Sequence, residues 1–189
     1  MKLAIFTIGF AVLLFISPFA YLATAPTEEI FIRAIGIADG PGYKTIVDFI
    51  PAAYASFYLK HVRKLKDWSE RPPLTWLLGG CDFQDISRGH CSEFAEWLLA
   101  QGANVNERDH SPTLGITALH EAVLACRLAN INFLLVHGAD PNVPTTGSRY
   151  LNMTPLRFLQ ELKTKGTWSE QCLDSDRIVA TLIDKGGHE

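Results

Sequence analysis

The 189-residue chain lacks most of the signatures that announce chemistry. It has no phosphate-binding loop, no G-x-S-x-G elbow and no H-E-x-x-H pair, so the commonest nucleotide, hydrolase and zinc-protease readings have no residues to stand on. Charged residues make up only 20% of the chain, and the formal charge is −3. That balance excludes a strongly basic protein that coats nucleic acid. Disorder throughout is excluded by the opposite count, since 48% of residues are apolar. Cysteines are few, four in all. Cys81, His90 and Cys91 supply at most three zinc ligands at an irregular spacing, one short of a closed site.

Charge is distributed unevenly. Residues 1–71 hold 8 basic and 6 acidic side chains, and residues 72–189 hold 9 and 14. The second part suits basic partners better than phosphates.

One long uncharged run exists, from Leu3 to Ala25. At about 1.5 Å per residue it is long enough for a hydrocarbon core of roughly 30 Å. Two readings stay open. As a signal peptide it has Lys2 as its basic start, Leu3–Ile16 as its apolar centre, and Ala23-Thr24-Ala25 as a small-residue cleavage site. Pro26 would hinder that cut, and an uncleaved membrane anchor through residues 3–25 uses the whole run. In both readings Lys2 stays inside, Glu28 and Glu29 follow the segment, and the remainder is exported. Four cysteines, an even number, suit a compartment where disulfides persist. Residues 44–65 resemble a second span but carry Asp48 and Pro51 and run into a basic cluster of Lys60, Arg63, Lys64 and Lys66, so an amphipathic helix packed on the domain is expected there.

From residue 72 onward one pattern occurs three times. The middle copy reads Thr117-Ala118-Leu119-His120-Glu121-Ala122, then Leu134-Leu135, then Gly138-Ala139-Asp140-Pro141-Asn142. The first reads Pro72-Pro73-Leu74-Thr75, then Leu98-Leu99, then Gly102-Ala103-Asn104-Val105-Asn106. The third reads Thr154-Pro155-Leu156, then Leu182-Ile183, then Gly186. A threonine or proline opens a short helix by capping it or presetting its first φ. A leucine two residues on enters the core, and a second helix brings a pair of aliphatics. Glycine then takes the left-handed position that closes the second helix. Each helix pair is half a core and must stack on its neighbours.

This pattern resembles the ankyrin repeat family. The resemblance covers roughly 72–187 and implies an all-α, helix-hairpin solenoid with repeats at 72–106, 114–143 and 153–187. Residues 26–71 fall outside it and are expected to form a helical cap, after an N-terminal signal or anchor segment at 1–25. Thr117 and Gly138 are 21 residues apart, whereas Pro72 and Gly102 are 30 apart and Thr154 and Gly186 are 32 apart. The extra residues fall between the two helices, where insertion is tolerated. His120 keeps the family's histidine, which bonds neighbouring backbone. The first copy has Thr75 at that place and the third has Arg157.

Alignment on the repeats also places the cysteines. Cys81 and Cys91 flank the first insertion; Cys126 closes the first helix of the middle copy, and Cys172 ends the third copy's insertion on the same edge. The favoured pairing is Cys81 with Cys91 and Cys126 with Cys172, among three possible pairings and the alternative of free thiols.

Candidate chemistry is sparse. Asp109-His110-Ser111 has triad residue types, but consecutive residues cannot assume relay geometry, so a turn is expected. His90-Cys91 is no better placed as a base and nucleophile. The chain is therefore expected to be non-enzymatic, with no catalytic residue, metal or other cofactor. The position after the family's histidine should line the stack's concave face, which nominates Trp76, Glu121 and Phe158. Long loops between repeats add Arg108, Asp109, His110, Arg149 and Tyr150 as partner-binding residues. These features imply a protein-interaction module that holds another protein and no nucleic acid. The expected location is a bacterial periplasm, free or anchored to the inner membrane. By analogy of fold and address, the partner could be a toxin such as a secreted lipase or hydrolase, with this chain as its immunity protein. A structural or stress-related scaffold that leaves its partner active stays open, as does an enzyme with an unrecognised site.

Overall fold

A computed structural model describes residues 71–84, 91–165 and 172–189. All belong to one unit, Trp68–Glu189. The run 3–25, the basic cluster at 60–66 and the cap expected at 26–71 (apart from Arg71) lie outside the described residues, as do His90 and the inner parts of both insertions.

Six helices follow one another: α1 (Pro73–Gly80), α2 (Cys91–Ala100), α3 (Ala118–Leu124), α4 (Leu128–Val136), α5 (Pro155–Thr164) and α6 (Ser175–Asp184). They form three hairpins, α1/α2, α3/α4 and α5/α6. The first members stack, with α3 between α1 and α5, and α4 packs on α6 behind them. The described residues therefore carry the expected all-α solenoid, with a single isolated antiparallel bridge, Arg108 to Thr117.

The helix starts follow from local chemistry. Thr117 and Thr154 are extended N-caps whose hydroxyls accept from the backbone N–H three residues on. Pro73 and Pro155 open α1 and α5, where a missing N–H costs nothing. The helix ends repeat more strictly. Gly102, Gly138 and Gly186 all have φ between +83° and +90°. After each, the next N–H reaches back to a buried leucine carbonyl: Ala103 to Leu98 at 3.0 Å, Ala139 to Leu134 at 2.9 Å, and Gly187 to Leu182 at 2.8 Å. This closure satisfies carbonyls the helix cannot bond itself and turns the chain toward the next repeat.

The core is one spine of apolar side chains. Leu77, Leu78, Phe94, Leu98, Ile131, Leu134, Leu159, Ile178 and Leu182 have no exposed surface. Each contributes roughly 1.5–3 kcal/mol by leaving water. Two asparagines tie successive repeats together. Asn106 Nδ2 donates to the Gly138 carbonyl at 3.3 Å and its Oδ1 accepts from Asp140 N at 2.8 Å. Asn142 repeats the device one repeat later, on Gly186 O at 3.0 Å and His188 N at 3.0 Å.

The cysteines pair as favoured, Cys81 with Cys91 and Cys126 with Cys172, with Cα atoms 5.8 and 5.5 Å apart. The zinc alternative thereby loses both of its thiolates. Cys126 lies just past α3, not within it, with φ of 53°. Arg127 and Asn130 then secure the neighbouring repeat, donating to the Cys81 carbonyl at 2.7 Å each. Asn130 also accepts from Phe83 N at 3.0 Å, fixing the start of the first insertion. Among the described residues no helix is long and apolar enough to cross a membrane.

Candidate partner-binding site

Two long loops separate the hairpins, a first finger from 103 to 117 and a second from 139 to 154. The first is closed at its base by Asp109 N donating to Ile116 O at 2.8 Å. Asp109 Oδ1 accepts from Ile116 N at 3.1 Å and from Ser111 N at 3.3 Å. Ser111 Oγ then accepts from Leu114 N at 3.2 Å and Thr113 N at 3.3 Å. The Asp109-His110-Ser111 sequence is thus a turn, with one carboxylate oxygen spent on backbone. In the second finger, Thr145 N donates to Met153 O at 2.9 Å, and the Thr145 hydroxyl donates to the Tyr150 carbonyl while accepting from Met153 N at 3.0 Å.

The fingers are bonded to each other. Thr146, Gly147, Ser148 and Arg149 donate their N–H groups to Gly115, Leu114, Pro112 and Thr113 at 3.0–3.1 Å. A Cβ on Gly147 would sit 2.3 Å from the Leu114 backbone, so only glycine permits this approach. Arg108 Nε adds a bond to Pro144 O at 2.7 Å. Loops held this way present their side chains on a fixed backbone, which lowers the ordering cost of binding.

Beneath them lies His120, with no exposed surface. Its Nδ1 accepts from Thr117 N at 3.3 Å, and its Nε2 donates to Met153 O in the second finger at 3.0 Å. Burial holds its pKa down, from the ordinary 6.5 to about 4, with the Arg108 charge adding to the effect and the Met153 bond opposing it. It is neutral at physiological pH and serves as a structural tie, as the resemblance implies.

The concave-face residues fare differently from expectation. Trp76 is half-buried on α1. Phe158 is fully buried, because the Tyr150 ring packs edge-on against it at 4.9 Å and His120 lies on it at 5.4 Å. Tyr150 itself is only 6% exposed, so neither aromatic is an open wall. Glu121 is buried too, under Arg71, whose Nη2 donates to Oε2 at 2.5 Å. Burial pushes the Glu121 pKa up, and the Arg71 charge opposes that shift. Asp109 is 6% exposed and 3.7 Å from Arg71 Nε. What remains accessible is Trp76 and Arg108 in part, with His110 and Arg149 exposed.

Sequence reasoning passed over three further exposed residues of this face. Leu151 is 62% exposed at the second finger. Arg157 is exposed where the middle repeat has its buried histidine, and Lys165 lies 4.7 Å from the Tyr150 ring centre. Arg157 carried a signal, since a cation at the histidine's place cannot be buried in the same way. Among the described residues no group of histidine, cysteine and carboxylate side chains could hold a metal ion.

No curated protein matches the chain. Residues 114–146 match the family model for the ankyrin repeat, spanning the end of the first finger, α3, α4 and the start of the second finger. Ankyrin repeats are protein–protein interaction modules, generally without catalysis. The match falls on a hairpin stacked between two others of the same build, so residues 114–146 are an ankyrin repeat at the middle of the stack.

Proposed function

We propose that the chain is a non-catalytic binding protein of the cell envelope, exported by its N-terminal segment and free in the periplasm or anchored to the inner membrane. It holds a partner protein through the two fingers and restrains that partner's activity, as an immunity protein restrains a toxin such as a secreted hydrolase. One observation carries the binding role: the backbone bonds from 146–149 to 112–115 that turn two loops into one preorganised surface. Both cysteine pairs support an oxidising compartment. The inhibitory role is an analogy from fold and address.

The test is site-specific photo-crosslinking of the full chain in cell-envelope extract. Probes at Thr113 and Ser148, both exposed finger positions, should trap one dominant protein, and a probe at Asn132 on α4 should not. Equal trapping at all three positions, or none at any, contradicts the finger interface. The partner's own activity, measured with and without the chain, then decides the role: loss of activity supports inhibition, and full activity in the complex supports a scaffold.

A further inference from the structure

We infer that the edge formed by the second finger and α5 takes an acidic segment of the partner protein, the reverse of what the chain's composition suggests. The inference deepens the finger-binding reading and rests on it. Among the described residues, seven of nine arginine and lysine side chains are spent on internal contacts. Arg71 is held by Glu121, Lys163 by Asp176, Lys165 by Glu161, Arg177 by Asp174 and Lys185 by Asp184. Arg108 and Arg127 bond carbonyls at Pro144, Leu78 and Cys81. Only the guanidinium groups of Arg149 and Arg157 have neither a carboxylate nor a carbonyl partner among the described residues, and both side chains are exposed.

These two cations flank one feature. Arg149 precedes Tyr150, and Arg157 precedes Phe158, and the two rings pack together at 4.9 Å. The Arg149 guanidinium carbon stands 5.3 Å from the Tyr150 ring centre, and Lys165 Nζ stands 4.7 Å from the same centre. Two like charges gather at one ring because its negative face attracts both. A guanidinium placed over a ring keeps its edge N–H groups free for the two-pronged bond that matches a carboxylate. Leu151, 62% exposed beside them, offers an apolar contact.

The rest of the described surface selects the orientation. Glu93, Glu96, Asp176 and Asp184 are exposed on α2 and α6. Arg177 on α6 and Lys185 at its end are already held by Asp174 and Asp184, so an acidic segment finds its unpaired guanidinium groups at the Arg149–Arg157 edge, and complementarity fixes where it lands.

The test uses the full chain and three probes: a fluorescent glutamate-rich peptide carrying one leucine, its lysine-for-glutamate counterpart, and vesicles containing phosphatidylglycerol. The glutamate peptide should bind and weaken as salt rises. Arg149→Ala with Arg157→Ala should weaken it about fivefold to tenfold, on the scale of two exposed ion pairs. Glu107→Gln, which removes a carboxylate from the first finger, should tighten it slightly. Unfolding temperature should be the same for all variants. The inference is overturned by unchanged affinity in the double variant, by equal binding of the lysine peptide, or by vesicles binding where the peptide does not. Trapping at Thr113 and Ser148 that survives such a result would leave the finger interface standing and remove only its acidic partner.

Discussion

The two ends of the repeat teach different things. At the ends of the second helices the three copies are nearly interchangeable: Gly102, Gly138 and Gly186 share one backbone conformation and one closing hydrogen bond to a buried leucine. At the starts of the first helices they diverge. His120 is buried and bonded on both ring nitrogens, Thr75 is buried with its hydroxyl unpaired among the described residues, and Arg157 is exposed. The invariant end is set by what every repeat must do, which is to stop a helix and turn. The variable end answers to position. Only the middle copy has a histidine at this place, and its Nε2 donates to the Met153 carbonyl of the finger that follows.

Substitutions at either end, and at the bonds between repeats, put that contrast to the test. The largest effect is expected outside both ends, at the staple that joins repeats two and three. Replacing Cys126 and Cys172 by serine frees a loop of 46 residues and should cost roughly 4 kcal/mol in denaturant unfolding, against roughly 3 for the Cys81–Cys91 pair with its separation of 10. Equal losses would mean that the staple does not constrain the unfolded chain as loop length requires. His120→Ala comes next, at about 2–4 kcal/mol, because it removes the cap interaction and the Met153 bond and leaves a cavity. It should also loosen the second finger, read as faster amide exchange at Thr145, whose N–H is bonded to the Met153 carbonyl.

The same histidine gives a pH dependence. Its folded pKa of about 4 lies below the ordinary 6.5, so the unfolded chain takes up a proton first as pH falls. Stability should therefore be full above pH 6.5 and decline toward pH 4, by up to about 3 kcal/mol. Glu121 acts with the opposite sign. Its pKa is raised by burial, so its share of stability is present at low pH and falls as pH rises through the raised value. A variant with His120 replaced should lose the acid decline and retain only the opposing slope, measured as midpoints of urea unfolding across pH.

Smaller effects belong to the ties and to the unpaired hydroxyl. Asn142→Ala should cost about 1 kcal/mol by removing the bonds to Gly186 O and His188 N. Thr75→Val should be neutral or slightly stabilising, since its buried Oγ1 has no partner to lose among the described residues. A loss above about 1 kcal/mol at Thr75 would show that the hydroxyl is bonded after all.

Much of the fold was legible because it rests on local rules. Caps at Thr117 and Thr154, proline starts, closing glycines and leucine pairs are short-range signals, and stacking follows from the half-core each hairpin presents. The cysteine pairing followed once the repeats were aligned. The site was less legible because exposure is not local. Phe158 and Tyr150 read as a surface wall one at a time, yet they bury each other across a loop whose path no spacing reveals. Glu121 reads as an exposed acid until Arg71, 50 residues away, covers it. The bonds between the fingers were invisible for the same reason, since they join backbone to backbone across the gap between repeats.

The most direct test of the account is hydrogen–deuterium exchange of the amides from Thr146 to Arg149, compared with those of α3. If the two fingers form one fixed surface, these four N–H groups exchange slowly, and substituting Gly147 by valine accelerates all four while α3 stays protected. Exchange at the rate of an open loop in the unaltered chain would contradict the account, because the surface proposed to meet the partner would then not exist before binding.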